Sequence, residues 1–174
     1  MRKVTVTASA SANGKTTLAR ELARRLDVPF VELDALVHGP HWTETPDAAL
    51  RAQVERVVAT DGWVIDGTYR GKLGTLTLKH ADLVVWLDLP LRVWLPRLIR
   101  RTVRRIRDRE ELWNGNRETF LNTFWGWNGL LVFSLRSHFR RRRDWPDELR
   151  NYPVERLQST GEVERFLAQF TSGS

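Results

Sequence analysis

Residues 4–20 read VTVTASASANGKTTLAR, and this stretch decides the fold of the 174-residue chain. An apolar, largely β-branched run over residues 4–8 predicts a strand, and a helical pattern begins within the GKTT sequence at residues 14–17. Small residues lie between the two. A strand, a tight turn and a helix start, in that order, are the context in which a phosphate-binding loop occurs.

The turn and the start of the helix predict an anion site, because backbone N–H groups and the positive end of the helix dipole meet there. In such a loop the lysine contacts the β- and γ-phosphates, and the hydroxyl that follows it ligates Mg²⁺. Lys15 and Thr16 occupy these positions. We expect the nucleotide to contact six residues: Ala12, Asn13, Gly14, Lys15, Thr16 and Thr17.

The loop departs from the usual G-x-x-x-x-G-K-[ST] pattern at two positions. Ser9 replaces the first glycine, and Ala12 stands where a further glycine is common. A Cβ atom costs about 1–2 kcal/mol in a left-handed backbone conformation. These substitutions are expected to weaken nucleotide binding and activity, and an ordinary strand–turn–helix with a surface lysine is the alternative.

Composition predicts a single globular domain over residues 1–174. The chain is 41% hydrophobic and 28% charged, without cysteine, which excludes a disulfide framework. Its four histidines show no zinc-site spacing. No apolar run reaches the roughly 18 residues that span a membrane, and residues 1–7 lack a signal-peptide core. We expect a cytoplasmic protein.

The net charge is +7, and most of the basic residues are arginines. The guanidinium group suits phosphate oxygens, but both phosphate-handling enzymes and nucleic-acid binders carry such a charge. The charge therefore predicts an anionic partner without saying which. The run at residues 140–143 keeps nucleic acid open as a partner.

Alternation of strand and helix patterns predicts a parallel sheet with helices on both faces. The strands are expected near residues 4–8, 30–33, 63–65, 82–87 and 154–157, and the main helices near 15–26, 46–60, 91–108, 118–139 and 160–170. In such sheets ligands bind beyond the carboxyl ends of the strands.

Two aspartates follow predicted strands and should lie beside the loop. Asp34 would orient, deprotonate or bind an acceptor hydroxyl, and Asp66 would belong to the Mg²⁺ shell. The alternatives are a helix-cap role for Asp34 and a turn-forming role for Asp66 before Gly67.

Two arginines and one tryptophan complete the predicted site. Arg70 would clamp phosphate, and Arg117 would act as the arginine finger of a mobile lid, because it follows a Gly-Asn break between helices. For either arginine a solvated side chain is the alternative. Trp42, in a predicted loop, would stack on a base or cover the acceptor pocket.

Several motifs in order resemble the small bacterial P-loop kinases of the adenylate-kinase-like group, in particular the topology modulation (FlaR-like) proteins. The resemblance covers nearly the whole chain. The matching segments are ANGKTTLAREL at 12–22, LDAL at 33–36 with Pro40 and Trp42, WVIDGTY at 63–69, LDLP at 87–90, LWNGNRE at 112–118 and the basic stretch 138–143.

This resemblance implies a three-layer αβα fold with a five-stranded parallel sheet of order 2-3-1-4-5 and a helical lid at about residues 105–140. It implies ATP or GTP with Mg²⁺ as the donor. The segment Asp66-Gly67-Thr68-Tyr69-Arg70 is similar to the D-G-F-P-R segment of nucleoside monophosphate kinases, whose arginine meets the acceptor phosphate. Gly67, Tyr69 and Arg70 are therefore expected, with Asp34 and Trp42, to contact the acceptor.

The predicted function is Mg²⁺-dependent phosphoryl transfer to a small molecule such as a nucleotide or nucleoside. Lys15, Asp34, Asp66 and Arg117 are the expected catalytic residues, and Thr16 and Asp66 the expected metal ligands. A nucleotide- or nucleic-acid-binding protein without turnover is the alternative. A kinase of a sugar or shikimate-like metabolite is a third possibility.

Overall fold

A computed structural model describes residues 1–108 and 129–170. The first half contains β1 (Lys3–Ala8), α1 (Lys15–Leu26), β2 (Phe30–Glu32), α2 (Leu33–Val37), α3 (Asp47–Val58), β3 (Trp63–Asp66), α4 (Arg70–Leu73) and α5 (Leu76–Lys79). The second half contains β4 (Leu83–Leu87), α6 (Leu91–Arg107), α7 (Leu130–Glu148), β5 (Val154–Leu157) and α8 (Thr160–Ala168).

The five strands form one parallel sheet of order β2-β3-β1-β4-β5, as expected. β1 lies at its centre, with Val6 paired to Asp66 of β3 and to Val85 of β4. Because the strands are parallel, their carboxyl ends share one edge. This register places the ends of β1, β3 and β4 side by side.

Helices cover both faces of the sheet. Apolar side chains of β1, including Val4 and Val6, pack with Leu18 and Leu22 of α1 and with Phe166 of α8. A second cluster joins β3 to α2 and α3, and a third joins Trp86 of β4 to Trp145 of α7. The central strands are therefore buried on both faces, as parallel strands are, although Thr5 and Thr7 alternate with the valines of β1.

Helix ends account for two differences from the sequence-based boundaries. The strand expected over residues 30–33 ends at Glu32, and Asp34 lies in the first turn of α2. The helix expected to end near residue 139 continues to Glu148, so the arginine run at 140–143 belongs to it. The start of α8 agrees with the predicted boundary at residue 160. Ser159 caps this helix start, and its side chain accepts a hydrogen bond from the Glu162 N–H.

The expected lid at about 105–140 is described only at its two ends. Its remaining residues, 109–128, include Arg117 and lie outside the described residues. Within residues 1–108 and 129–170, every helix is too short or too polar to cross a membrane.

Candidate functional site

The loop between β1 and α1 needs two left-handed residues. Gly14, the N-cap of α1, has φ 90° and ψ 15°, and Ala12 has φ 58°. Glycine adopts such a conformation without steric cost, whereas the Cβ of Ala12 strains the loop. Ser9, the other substituted position, does not take a positive φ. The expected strain is therefore present at Ala12 and absent at Ser9.

Asn13 holds the loop in place. Its side chain is buried; its Nδ2 donates to the Ala10 carbonyl at 2.9 Å, and its Oδ1 accepts from the Leu89 backbone N–H at 3.1 Å. Leu89 follows β4, so the asparagine side chain links the loop to the neighbouring strand end. The predicted nucleotide-binding residue Asn13 thus has its side chain engaged by the protein backbone.

Lys15, Thr16 and Asp66 meet at the start of α1. The Lys15 Nζ lies 2.5 Å from Asp66 Oδ1, and the Thr16 hydroxyl donates to Asp66 Oδ2 at 2.6 Å. Asp66 is fully buried at the end of β3, while about a quarter of the Lys15 side chain is exposed. The register of β1 with β3 brings together residues that are 50 positions apart in sequence.

Gly67 forms the backbone turn that follows Asp66. Its φ of 113° disfavours any residue with a Cβ, and a Cβ built there would lie 3.6 Å from Lys15 Nζ and 3.5 Å from Leu33 Cβ. Its N–H donates to the Val6 carbonyl at 2.9 Å. Gly67 therefore contributes backbone shape beside the Lys15 ammonium group.

Asp34 and Tyr69 form a second polar pair. The Tyr69 hydroxyl donates to Asp34 Oδ1 at 2.5 Å and lies 3.3 Å from Nε2 of His38. Burial and the adjacent Asp34 carboxylate raise the pKa of Tyr69 well above its ordinary value. Tyr69 therefore stays a neutral hydrogen-bond donor at physiological pH, and its contact orients the carboxylate of Asp34.

The cations of α4 are already paired with carboxylates. Arg70 forms an ion pair with Glu148 at the end of α7. Lys72 lies 2.8 Å from Glu44 and 2.9 Å from Asp47. The predicted phosphate clamp Arg70 is thus neutralised from the opposite side of the site.

One cavity of about 860 Å³ connects these groups. Lys15, Asp34, Tyr69 and Arg70 line it together. The α7 wall is formed by residues on one face of that helix: Phe133, Ser137, Arg140, Arg141, Asp144, Trp145 and Glu148. Asp34 and Lys15 therefore border the same space, as their positions after two strands predict.

The arginines of α7 were missed as site residues. Arg141 donates from Nη1 to the Ala8 carbonyl at 2.6 Å and stacks on Trp145, 5.0 Å from the ring centroid. Burial, with a contribution from neighbouring Arg140, lowers the pKa of Arg141 to about 10, so the group remains cationic at neutral pH. The spacing of residues 133, 137, 140, 141, 144 and 148 is that of one helical face. The sequence-based prediction ended this helix near residue 139, so the common face of these residues was not recognised.

The structure also gives the backbone positions of two more predicted site residues, Thr17 and Trp42. Thr17 is exposed in the first turn of α1. Trp42 ends a short 3-10 turn over Pro40–Trp42, between α2 and α3. Arg117 falls outside the described residues, so its predicted role stays a prediction.

The oxygen atoms present suit Mg²⁺. Mg²⁺ is bound through one or two carboxylates together with hydroxyl, water and phosphate oxygens, and Thr16 Oγ1 and Asp66 provide one hydroxyl and one carboxylate 2.6 Å apart. The described residues contain no group of three or more His, Asp or Glu side chains that would hold a metal unaided. Such a site would need the phosphates of a nucleotide to complete it.

Solved structures similar to this chain are kinases of small molecules. Shikimate kinase from Acinetobacter baumannii in complex with shikimate matches with TM-score 0.57 and 18% identity over 97% of this chain and 93% of that one. A gluconokinase from Sinorhizobium meliloti 1021 gives TM-score 0.53 and 18% identity over 97% and 92%. Deoxyadenosine kinase from M. mycoides with bound dATP gives TM-score 0.52 and 11% identity over 97% and 98%.

At these identities the likeness establishes the P-loop kinase fold. No family model and no curated protein matches the chain. Membership of the FlaR-like group therefore stays a prediction.

Proposed function

We propose that this protein transfers a phosphoryl group from ATP or GTP, with Mg²⁺, to a hydroxyl group of a small molecule. The observation that carries the proposal is one cavity lined both by Asp34 and by Lys15, whose ammonium group pairs with Asp66 beside Thr16. A phosphate-binding cluster and an acceptor-binding carboxylate in one cavity suit phosphoryl transfer, in which positioning and charge neutralisation supply most of the catalysis.

The donor half of the proposed site is the loop and the start of α1. Backbone N–H groups around Gly14 and the Lys15 ammonium group would hold the phosphates. Thr16 and Asp66 would hold Mg²⁺, which when bound neutralises developing charge on the phosphate oxygens. Lys15 now pairs with Asp66 at 2.5 Å, so it would turn to the phosphates on nucleotide binding.

Arg140 and Arg141 would add positive charge from the α7 wall. Both line the cavity, and Arg141 sits against the carbonyl of Ala8 at the end of β1. Guanidinium groups stabilise charge that develops on a transferring phosphoryl group. Arg117 is proposed to join them from the lid.

The acceptor half is proposed to select an uncharged hydroxyl compound, such as a nucleoside, over a monophosphate. Asp34 would accept a hydrogen bond from the acceptor hydroxyl and take its proton, while Tyr69 keeps the carboxylate oriented. A phosphate on the acceptor would have to compete with carboxylates for the cations of α4, because Arg70 is paired with Glu148 and Lys72 with Glu44 and Asp47.

A sugar or hydroxy acid is the second acceptor class. The observation that favours it is the same Asp34–Tyr69 pair, which would recognise any hydroxyl group. The structural neighbours named above include kinases of shikimate and gluconate type as well as a deoxyadenosine kinase. We propose no nucleic-acid partner, since Arg141, Arg142 and Arg143 of the basic run contact Ala8, Asp88 and Asp144.

The test begins with the donor. ATP–Mg²⁺ and GTP–Mg²⁺ are titrated calorimetrically into the wild type, Lys15→Ala and the control Lys79→Ala, whose lysine is exposed on α5. We expect binding by the wild type and the control, and binding weakened by about two orders of magnitude in Lys15→Ala. No binding by the wild type at millimolar nucleotide would end the kinase proposal.

The acceptor is then sought with a matched panel. Nucleosides, their monophosphates, sugars and hydroxy acids are each mixed with enzyme and ATP–Mg²⁺, and ADP release is measured. Turnover with an uncharged hydroxyl compound, absent in Asp34→Asn, is the expected result. Faster turnover with the monophosphates than with the nucleosides would refute the proposed acceptor class.

A further inference from the structure

A buried carboxylate outside the proposed reaction lies beneath the phosphate-binding loop. Asp88 follows β4, is fully buried, and receives contacts from three separate segments of the chain. Its Oδ1 accepts from the Ser9 hydroxyl at 2.6 Å. Its Oδ2 accepts from Arg156 of β5 at 2.6 and 3.1 Å and lies 3.2 Å from Nε of Arg142 on α7.

Ser9 fits this arrangement as a serine. It is buried, extends β1 by donating its N–H to the Leu87 carbonyl at 2.9 Å, and has no need of a positive φ. Its hydroxyl oxygen also accepts from Trp86 Nε1 at 2.8 Å. The hydroxyl thus bridges the Asp88 carboxylate and the Trp86 indole. A glycine at position 9 would leave Asp88 Oδ1 and Trp86 Nε1 without this partner, and losing a hydrogen bond to a buried polar atom is costly.

α7 is fastened to the start of the loop at two consecutive arginines. Arg141 holds the Ala8 carbonyl at 2.6 Å, and Arg142 reaches Asp88, which holds Ser9. Ala8 and Ser9 are themselves consecutive. Arg140 and Arg141 line the cavity. The attachment therefore holds the cavity-facing side of α7 in position.

Resting on the proposed function, we propose that Ser9, Asp88 and Arg142 are positioning residues that couple the phosphate-binding loop to α7. Through these three residues the start of the loop and the arginines of α7 are held in a fixed position relative to each other, around the donor phosphates. Ser9 in place of the usual glycine is then a functional replacement. It follows that restoring glycine at this position impairs the protein.

The main test compares Ser9→Gly, Arg142→Lys and Arg142→Met with the control Arg143→Ala. Arg143 is exposed on the same helix and pairs with the adjacent Asp144. Amide hydrogen exchange is measured on the nucleotide-free protein. We expect faster exchange in Ser9→Gly both in the loop at 9–14 and in α7 at 138–145, because each segment loses the contact that restrains the other.

Donor affinity is the second readout. Ser9→Gly should bind ATP–Mg²⁺ about tenfold more weakly, the effect of losing a hydrogen bond to a charged group. Arg142→Lys, which keeps the charge, should be milder than Arg142→Met, and the control should match the wild type. Effects of Ser9→Gly and Arg142→Met should combine non-additively in the double variant.

Three results would each overturn the proposal. They are exchange that rises in the loop alone in Ser9→Gly, additive effects in the double variant, and equal or tighter nucleotide binding by Ser9→Gly. If the wild type binds no nucleotide, the proposed function fails, and the exchange data on the free protein still decide whether loop and α7 are coupled.

Discussion

The proposed donor end and the proposed acceptor end of the cavity are built differently. At the donor end, Lys15 and Thr16 are neighbours in sequence, and a single strand register brings Asp66 to them at 2.5 and 2.6 Å. At the acceptor end, short helices supply the groups. Asp34 of α2 meets Tyr69 ahead of α4, and Arg70 of α4 meets Glu148 at the end of α7.

This contrast teaches that the two ends are held by different interactions. The donor end rests on backbone geometry within the sheet, whose hydrogen-bond ladders define positions firmly. The acceptor end rests on side-chain pairs between separate helical segments, of which α4 has four residues and α2 has five. Substitutions should therefore separate donor binding from acceptor turnover.

The largest expected effect is at Asp34. Asp34→Asn removes the proposed proton acceptor, so turnover should fall by about 10²–10⁴-fold, while affinity for ATP–Mg²⁺ stays unchanged. Steady-state kinetics and calorimetry measure the two quantities. The control is Asp61→Asn, which changes an exposed carboxylate between α3 and β3. Weakened nucleotide binding in Asp34→Asn would mean that the two ends are not separate.

Asp66→Asn should act on the donor end. Loss of a carboxylate ligand should weaken nucleotide binding in Mg²⁺ by about 10–100-fold, with a much smaller change in EDTA, where no metal can use the carboxylate. Calorimetry in the two buffers measures the difference on the same variant. An equal loss of nucleotide affinity in both buffers would mean that Asp66 positions Lys15 and does not bind the metal.

Tyr69→Phe should act on the acceptor end with a smaller effect. Losing the hydrogen bond to Asp34 should weaken acceptor binding by about tenfold, and donor binding should not change. The chain has two tyrosines, so spectrophotometric titration at alkaline pH can assign their ionisation.

The raised pKa of Tyr69 also sets the sign of a stability effect. The folded state holds this proton more tightly than the unfolded state, so the stabilisation is complete below about pH 10 and is lost as pH rises above it. Denaturant unfolding of the wild type and Tyr69→Phe across this range measures the loss. Identical curves would show that neither burial nor the Asp34 contact raises the pKa of Tyr69.

The smallest effect is expected at Ala12. Ala12→Gly relieves the strain of φ 58°, worth about 1–2 kcal/mol, but adds about 0.4–1 kcal/mol of unfolded-state entropy. Unfolding should therefore become more costly by about 0.5–1 kcal/mol. Asp27→Gly, at φ 51° and remote from the cavity, is the matched control. Tighter nucleotide binding should follow in Ala12→Gly alone.

Sequence patterns located most of the elements and the donor end, because both depend on local order. The strands, the loop and the Gly-Lys-Thr order at residues 14–16 can each be recognised from neighbouring residues. The side-chain pairs at the proposed acceptor end could not be predicted from the sequence. Arg70 could be recognised as a candidate cation, but its partner Glu148 lies 78 positions away.

The arginine run shows the same limit. A row of four arginines at 140–143 looks like one basic surface, yet the structure gives Arg141, Arg142 and Arg143 different partners. A helix rotates each successive residue by about 100°, so neighbours in sequence face different surroundings. The same geometry placed Arg140 and Arg141 at the cavity.

By itself, the sequence determined that β1 leads through a tight loop into α1 and that strands alternate with helices, since hydrophobic periodicity and turn chemistry are local properties. Tertiary structure alone decided that Ser9 meets Asp88, that Arg70 is neutralised by Glu148, and that Asp34 shares a cavity with Lys15. These contacts join residues far apart in the chain, and they exist only because packing of helices on the sheet brings their segments together.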